Sequence, residues 1–224
     1  MSAEEVAFMQ EFKIGETVAG PGEVILSEGE GSPHLFTVYS GIGVRSIGLA
    51  TGRRQVVSFV FPGDFIGVQA SVMGEMKHTV EARTKMRLCV FDRRNLWALF
   101  RTMPERAFDL TWIAATEEHF LGETIATLGQ RGGTERTAWA LLQIYRRMVS
   151  LSLVKDGWAP FPFRQSDIAD AIGMSLVHTN RTLGLLRSRG LVQFSARRLR
   201  VADPGKLAEV AEDDPARLPV RPLF

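Results

Sequence analysis

The sequence predicts an α+β protein: a jelly-roll-like antiparallel β domain over residues 1–103, a long helix over 104–129, a winged helix-turn-helix over 130–203 and a tail over 204–224. Three observations predict it. Short apolar runs separated by glycine-bearing turns fill the first part, a pattern suited to a small antiparallel barrel or jelly roll. Apolar residues then recur at alternating threes and fours for about 25 residues, the period of one long helix. Two short helical patterns joined by Gly173-Met174 follow, and an alternating strand pair closes the series.

In the β part the apolar runs are Val24-Ile25-Leu26, Leu35 to Tyr39, Val44 to Ile47, Val56 to Phe61 and Leu88 to Phe91. Ser40-Gly41, Thr51-Gly52 and Pro62-Gly63-Asp64 supply turns between them, since glycine admits positive φ and proline presets the entry of a turn. From Pro104 onward Leu110, Ala114, Glu117, Leu121, Ile125 and Leu128 share one helical stripe, while Phe108, Trp112, Ala115 and His119 lie on another. Two usable faces suggest that one packs on the chain's own barrel and the other on a second copy. The 110–128 stripe is therefore read as the dimerisation seam, and Phe108 with Trp112 as packing at the barrel junction. Gly129, Gly132 and Gly133 are read as the helix end and a hinge. Thr134 is the expected cap of the next helix, whose apolar stripe is Ala138, Leu141, Leu142, Tyr145 and Val149.

Lys155-Asp156-Gly157 and Pro160-Phe161-Pro162 read as loop or short extended structure. Two short helices are predicted over Gln165 to Ile172 and Ser175 to about Ser188. Ile168, Ala171 and Ile172 can face the core, Gly173 allows the tight turn, and Ser175 can accept from an amide of the following first turn. Leu183, Leu185 and Leu186 are available to bury the second helix. After Gly190 the alternation of Leu191, Val192 and Phe194, then Leu199 and Val201, around Ala196-Arg197-Arg198 predicts a hairpin with a basic tip. The end of the tail, with Asp213-Asp214-Pro215 and two further prolines, is expected to be poorly ordered.

The net charge of +2 hides an uneven distribution: residues 1–129 carry −4, residues 130–202 carry +8 and residues 203–224 carry −2. A compact basic segment beside an acidic one has the field of a polyanion-binding module. An α-helix fits the major groove of double-stranded DNA, and the arginine fork matches guanine O6 and N7, so Arg181 is the expected base reader. Val177 can meet a thymine methyl, and His178 and Asn180 a base edge or phosphate. Gln165, Ser166 and Ser175, at the starts of the two helices, are placed with them as DNA-binding residues. Arg197 and Arg198 at the hairpin tip suit phosphates. A surface ion pair of Arg181 with Asp167 or Asp170 is the alternative reading. In a homodimer, paired helices about 34 Å apart would enter successive major grooves of an inverted repeat.

Several other chemistries lack their residues. No run of about 18 uncharged apolar residues offers a membrane span. The acidic start, MSAEEVAFMQEFK, lacks the basic and apolar regions of a secretory signal, and with a single cysteine, Cys89, a reducing cytoplasm is expected. One cysteine also excludes an intrachain disulfide and a four-thiolate cluster within one chain. A cupin-type metal enzyme needs several histidines and a carboxylate on one ion, whereas the barrel holds only His34 and His78. Gly29-Glu30-Gly31 and Gly41-Ile42-Gly43 lack the further glycines of a nucleotide loop. His34, His78 and His119 are nominal haem ligands. Cys89, within an apolar run, reads as core filler, with redox sensing as the alternative.

The motif Pro62-Gly63-Asp64-Phe65-Ile66-Gly67 and the segment Asp167 to Leu183, with its Ser-Leu-Val-His-Thr-Asn-Arg-Thr-Leu run, resemble the Crp/Fnr family of bacterial transcription regulators from about Phe12 to Asp203. The resemblance implies an amino-terminal double-stranded β-helix sensor domain, a dimer helix, a DNA-binding winged helix, a homodimer on a palindrome and contact with RNA polymerase. Arg181 matches the family's recognition arginine. Val177 stands where the family often has glutamate, which removes a cytosine contact. Val68 replaces the glutamate of the cyclic-nucleotide members, Met76-Lys77 their Arg-Ser phosphate pair, and Leu121 and Gly122 their base-facing hydroxyls. The first 30 residues hold no cysteine, where the iron–sulfur members carry a cluster. Neither cyclic AMP nor an iron–sulfur cofactor is therefore expected, and the effector is unknown or absent.

Overall fold

A computed structural model describes residues 3–214; the expectation for the end of the tail falls outside them from Pro215 on. The chain divides into two compact units, one running to Glu118 and one starting at His119.

The first unit opens with α1 (Ala3–Phe12) and continues through β1 (Lys13–Ala19), β2 (Val24–Leu26), β3 (His34–Ser40), β4 (Gly43–Gly48), β5 (Arg54–Val60) and β6 (Phe65–Ile66). A short α2 (Val68–Met73) precedes β7 (Thr79–Ala82) and β8 (Met86–Asp92). All pairings are antiparallel, in two four-stranded sheets ordered β1-β8-β3-β6 and β2-β7-β4-β5. This is the expected jelly roll. Its interior is filled by Leu26, Phe36, Val38, Val60, Ile66, Met76, Val80, Met86 and Leu88. Gly41, at the β3–β4 turn, has φ 96°, and a β-carbon there would lie 2.4 Å from the Lys85 carbonyl oxygen; only glycine fits. In the Pro62-Gly63-Asp64 turn the buried Asp64 carboxylate accepts from the Phe61 amide at 2.9 Å.

A second cluster lies outside the roll. Phe12 of α1 and Leu35, Phe65 and Phe91 of the sheet meet Leu96 and Leu99 of α3 (Leu96–Thr102) and Leu110 of α4 (Pro104–Gln130). Helix α4 is 27 residues long and passes through Gly129 without breaking. The expected glycine stop is thus displaced: the interruption is at Arg131-Gly132, and α5 (Gly133–Ser150) begins at Gly133 with Gly132, not Thr134, as its cap residue.

The second unit continues from α5 through β9 (Ala159–Pro160), α6 (Gln165–Ile172), α7 (Leu176–Ser188), β10 (Val192–Ser195), β11 (Arg198–Val201) and α8 (Pro204–Ala211). The hairpin β10–β11 is widened by β9 into a three-stranded sheet. Helix α8 corrects the reading of everything after 203 as a tail. Asp203 caps it by accepting from the amides of Gly205 and Lys206, and it buries Leu207, Ala208 and Ala211. Its far end is clasped by charge: Arg146 of α5 donates to Asp213 at 2.7 Å and Arg131 to the Glu212 carbonyl at 2.7 Å.

Candidate nucleic-acid interface

The helix-turn-helix is built as its sequence dictates. Asp167 is fully buried because it caps α6, accepting from the Arg164 amide at 2.8 Å. Gly173 ends α6 in the left-handed region, and Ser175 caps α7 by accepting from the His178 amide at 3.3 Å. Ile168, Ile172, Leu183 and Leu186 are buried as expected. Ala171 is only half-buried and Leu185 is exposed; Ala169 and two threonines take their places in the core.

Those threonines fix the rotation of α7. Thr179, at 0% exposure, donates to the Ser175 carbonyl at 3.0 Å. The Thr182 hydroxyl lies 2.8 Å from that of Thr137 on α5, within reach of the Thr179 carbonyl at 2.9 Å. The Thr137 hydroxyl in turn reaches the Gly133 carbonyl at 2.7 Å. Two hydroxyl protons serve this chain, one between the threonines and one to a helix carbonyl, so no buried donor is orphaned. Apolar periodicity passes over such threonines; their i, i+3 spacing on the inner face was the available signal.

With that face turned inward, Val177, Asn180 and Arg181 share the outer one, three and four residues apart. All three are exposed, as is His178. Arg181 has no hydrogen bond or ion pair among the described residues, so it pairs with neither Asp170 nor Asp167, the latter being committed to the α6 cap. Gln165 is exposed and Ser166 half-buried in the first turn of α6.

The hairpin tip behaves differently. Ala196 and Arg197 hold φ of 45° and 59°, the mark of a two-residue type I′ turn. The Arg197 guanidinium donates to the Pro162 carbonyl at 3.1 Å, and that of Arg198 stacks over the Trp158 ring at 5.3 Å. Both arginines therefore have partners within the chain, unlike Arg181. Arg187, Arg189 and Arg200 are further exposed cations of this unit that motif reading did not single out.

The predicted seam on α4 is split. Leu110 is buried in the first unit's outer cluster, Glu117 turns inward to Arg45, and Leu128 is half-buried near Gly173. Ala114, Leu121 and Ile125 are exposed, together with Thr111, Ala115, Gly122 and, against the expectation of packing at the barrel junction, Phe108 at 67%. The open face thus lies about one residue further round the helix than the apolar stripe. Apolarity marks what is buried without saying by which neighbour, and Leu110 and Glu117 are claimed by the chain's own roll.

Arg45 is the main polar feature of the roll. In register it opposes Val80, an interior residue, so both project inward. Its guanidinium donates to Glu117 at 2.6 Å and to the Phe65 carbonyl at 3.1 Å. Burial, and next the charge of Arg45, push the nearby His78 down to about 4, so the imidazole stays neutral. At the family's phosphate position Met76 is 1% exposed within the core, and the Lys77 ammonium pairs with Glu75. These residues offer no fixed donor set to a cyclic phosphate and do not fit that ligand. Among the described residues no three His, Cys, Asp or Glu side chains group as a metal site. His34 lies on β3 and His119 on α4, where it faces Glu123 at 3.9 Å. Cys89 is half-buried on β8 and lines an apolar cavity of about 450 Å³.

Two family profiles match in series: Cyclic nucleotide-binding domain over residues 16–103 and Crp-like helix-turn-helix domain over residues 135–210. The chain belongs to the Crp/Fnr family. It is similar to the nitrogen fixation regulation protein FixK of Bradyrhizobium diazoefficiens, 26% identical over 94% of this chain and 88% of the relative. It is equally similar to the transcriptional activator protein FnrL of Cereibacter sphaeroides, 26% identical over 95% and 86%. The structure of FixK2 from Bradyrhizobium japonicum superposes with a TM-score of 0.79 at 26% identity, covering 89% of this chain and 96% of that one. This Crp/Fnr protein is accordingly a DNA-binding transcription regulator and not an enzyme. No helix of its described residues is long and apolar enough to cross a membrane.

Proposed function

We propose that this Crp/Fnr regulator is a homodimer that binds an inverted repeat in promoter DNA through α7 and contacts RNA polymerase there, in the cytoplasm. The observation that carries the reading is the outer face of α7. Arg181 stands there beside Asn180 with no partner among the described residues, on a helix whose rotation is set by buried threonines. Specificity comes from Arg181, Asn180 and Val177. His178, Gln165, Ser166 and Ser175 position the helices on the backbone, and the wing arginines Arg197 and Arg198 add phosphate contacts at the expense of their partners within the chain. The seam between copies uses Ala114, Leu121 and Ile125 rather than the full 110–128 stripe.

The regulator works without cyclic AMP or an iron–sulfur cluster. Support comes from Met76, which fills the phosphate position, and from Arg45, the cation inside the roll, whose charge the chain's own Glu117 already meets. Selection of bound sequences from random DNA at fixed salt tests the reading. A recurring inverted repeat is expected, with binding unchanged by added cyclic nucleotide. Arg181→Ala should then weaken the selected site by about 1–3 kcal/mol and random DNA little. Equal loss on both would move Arg181 to the phosphate contacts.

A further inference from the structure

Among the large apolar side chains of the described residues that stand in solvent, Val177 is the most exposed, at 81%, and its neighbour Leu176 is 47% exposed. Nothing in the fold requires a branched apolar residue there. The core of α7 is carried by Thr179, Thr182, Leu183 and Leu186 on the opposite side, and the first turn is already capped by Ser175. Val177 instead stands three and four residues ahead of Asn180 and Arg181, on the face that meets DNA in the reading above. The segment around it carries +8, which draws a phosphodiester to that face.

A valine side chain has neither donor nor acceptor, so it is blind to every hydrogen-bonding group on a base edge. The one apolar group displayed in the major groove is the methyl on C5 of thymine. We propose that Val177 reads the C5-methyl group of one pyrimidine in each half-site. Because O4 and N4 are invisible to it, the requirement is for the methyl and not for thymine as such. Thymine and 5-methylcytosine satisfy it, whereas uracil and unmethylated cytosine do not. Asn180 and Arg181 read the neighbouring bases by hydrogen bonds, which a methyl change leaves intact. The inference rests on α7 being the DNA-reading helix.

The test uses the full chain and the inverted repeat recovered by selection. Each thymine of the half-site is replaced in turn by uracil, symmetrically in both halves. At the responsive position cytosine is then compared with 5-methylcytosine. Covering one methyl is expected to change affinity about four-fold per half-site and about fifteen-fold for the pair. Both methylated bases should gain by similar factors over their unmethylated counterparts. Val177→Ala, at an exposed position that leaves the fold intact by circular dichroism, should bring both ratios close to one while binding persists.

The proposal is overturned if no thymine responds to uracil, if 5-methylcytosine gives no gain over cytosine, or if Val177→Ala leaves the ratios unchanged. Failure of the underlying reading looks different. In that case selection yields no recurring inverted repeat.

Discussion

Arg45 and Glu117 show how a single buried charge can organise a domain. Arg45 is 6% exposed, so its charge must be met within the fold. Glu117 reaches it from α4 and the Phe65 carbonyl from β6. Glu117→Ala should cost the first unit about 1–3 kcal/mol, read from its denaturant midpoint, because a buried cation is left without its carboxylate. The lower part of that range is expected, since the Glu117 side chain is 36% exposed. His78 adds a pH dependence with a definite sign. Its folded value of about 4 lies below the ordinary imidazole value of 6.5, so between those values the unfolded chain binds a proton that the folded chain does not. The stability His78 contributes is present above about 6.5 and is lost as pH falls toward 4. Thermal melts of the protein and of His78→Asn over that window should diverge, with the variant showing the shallower decline.

The elements differ in how openly the sequence declares them. Five strands of the roll, the long helix, the two helices of the reading motif and the hairpin all follow from apolar runs and turn residues. Strands β1, β6 and β7 are missed: β6 is only two residues long, Lys-Ile-Gly-Glu-Thr-Val-Ala and Thr-Val-Glu-Ala have too few apolar residues to stand out, and the partners β8, β3 and β4 hold the three in place. Helix α8 is missed for another reason: proline and glycine open it, although Asp203 followed by proline is a sound start signal. That Val177, Asn180 and Arg181 share the exposed face of α7 was legible in full, since their spacing fixes it. The open face of α4 was legible only in part, because Leu110 and Glu117 of the expected stripe are engaged within the first unit. The wing turn carries its own strain. Ala196 sits at φ 45°, a conformation costing an ordinary side chain about 1–2 kcal/mol. Ala196→Asn, the residue preferred in a type I′ turn, should stabilise the second unit by about 0.5 kcal/mol, seen as a raised melting temperature.

For the whole molecule the decisive question is how two copies meet. Ile125 is 70% exposed on α4, so a charge placed there costs the single chain little. Ile125→Glu should therefore leave each protomer folded and shift light scattering from two chains toward one, with operator binding weakened in step. A two-chain species that persists with this variant would place the seam on a different face.

The clasp at the far end of α8 sets where the chain can be cut. A protease or a designer who trims after Ala202, where the hairpin closes, would strip Leu207, Ala208 and Ala211 from the flank of α5 and leave Arg146 without Asp213. The shortened product would expose a greasy strip beside an orphaned cation. A fragment meant to keep the second unit intact should therefore retain the chain through Asp214, whose carbonyl also accepts from Arg146.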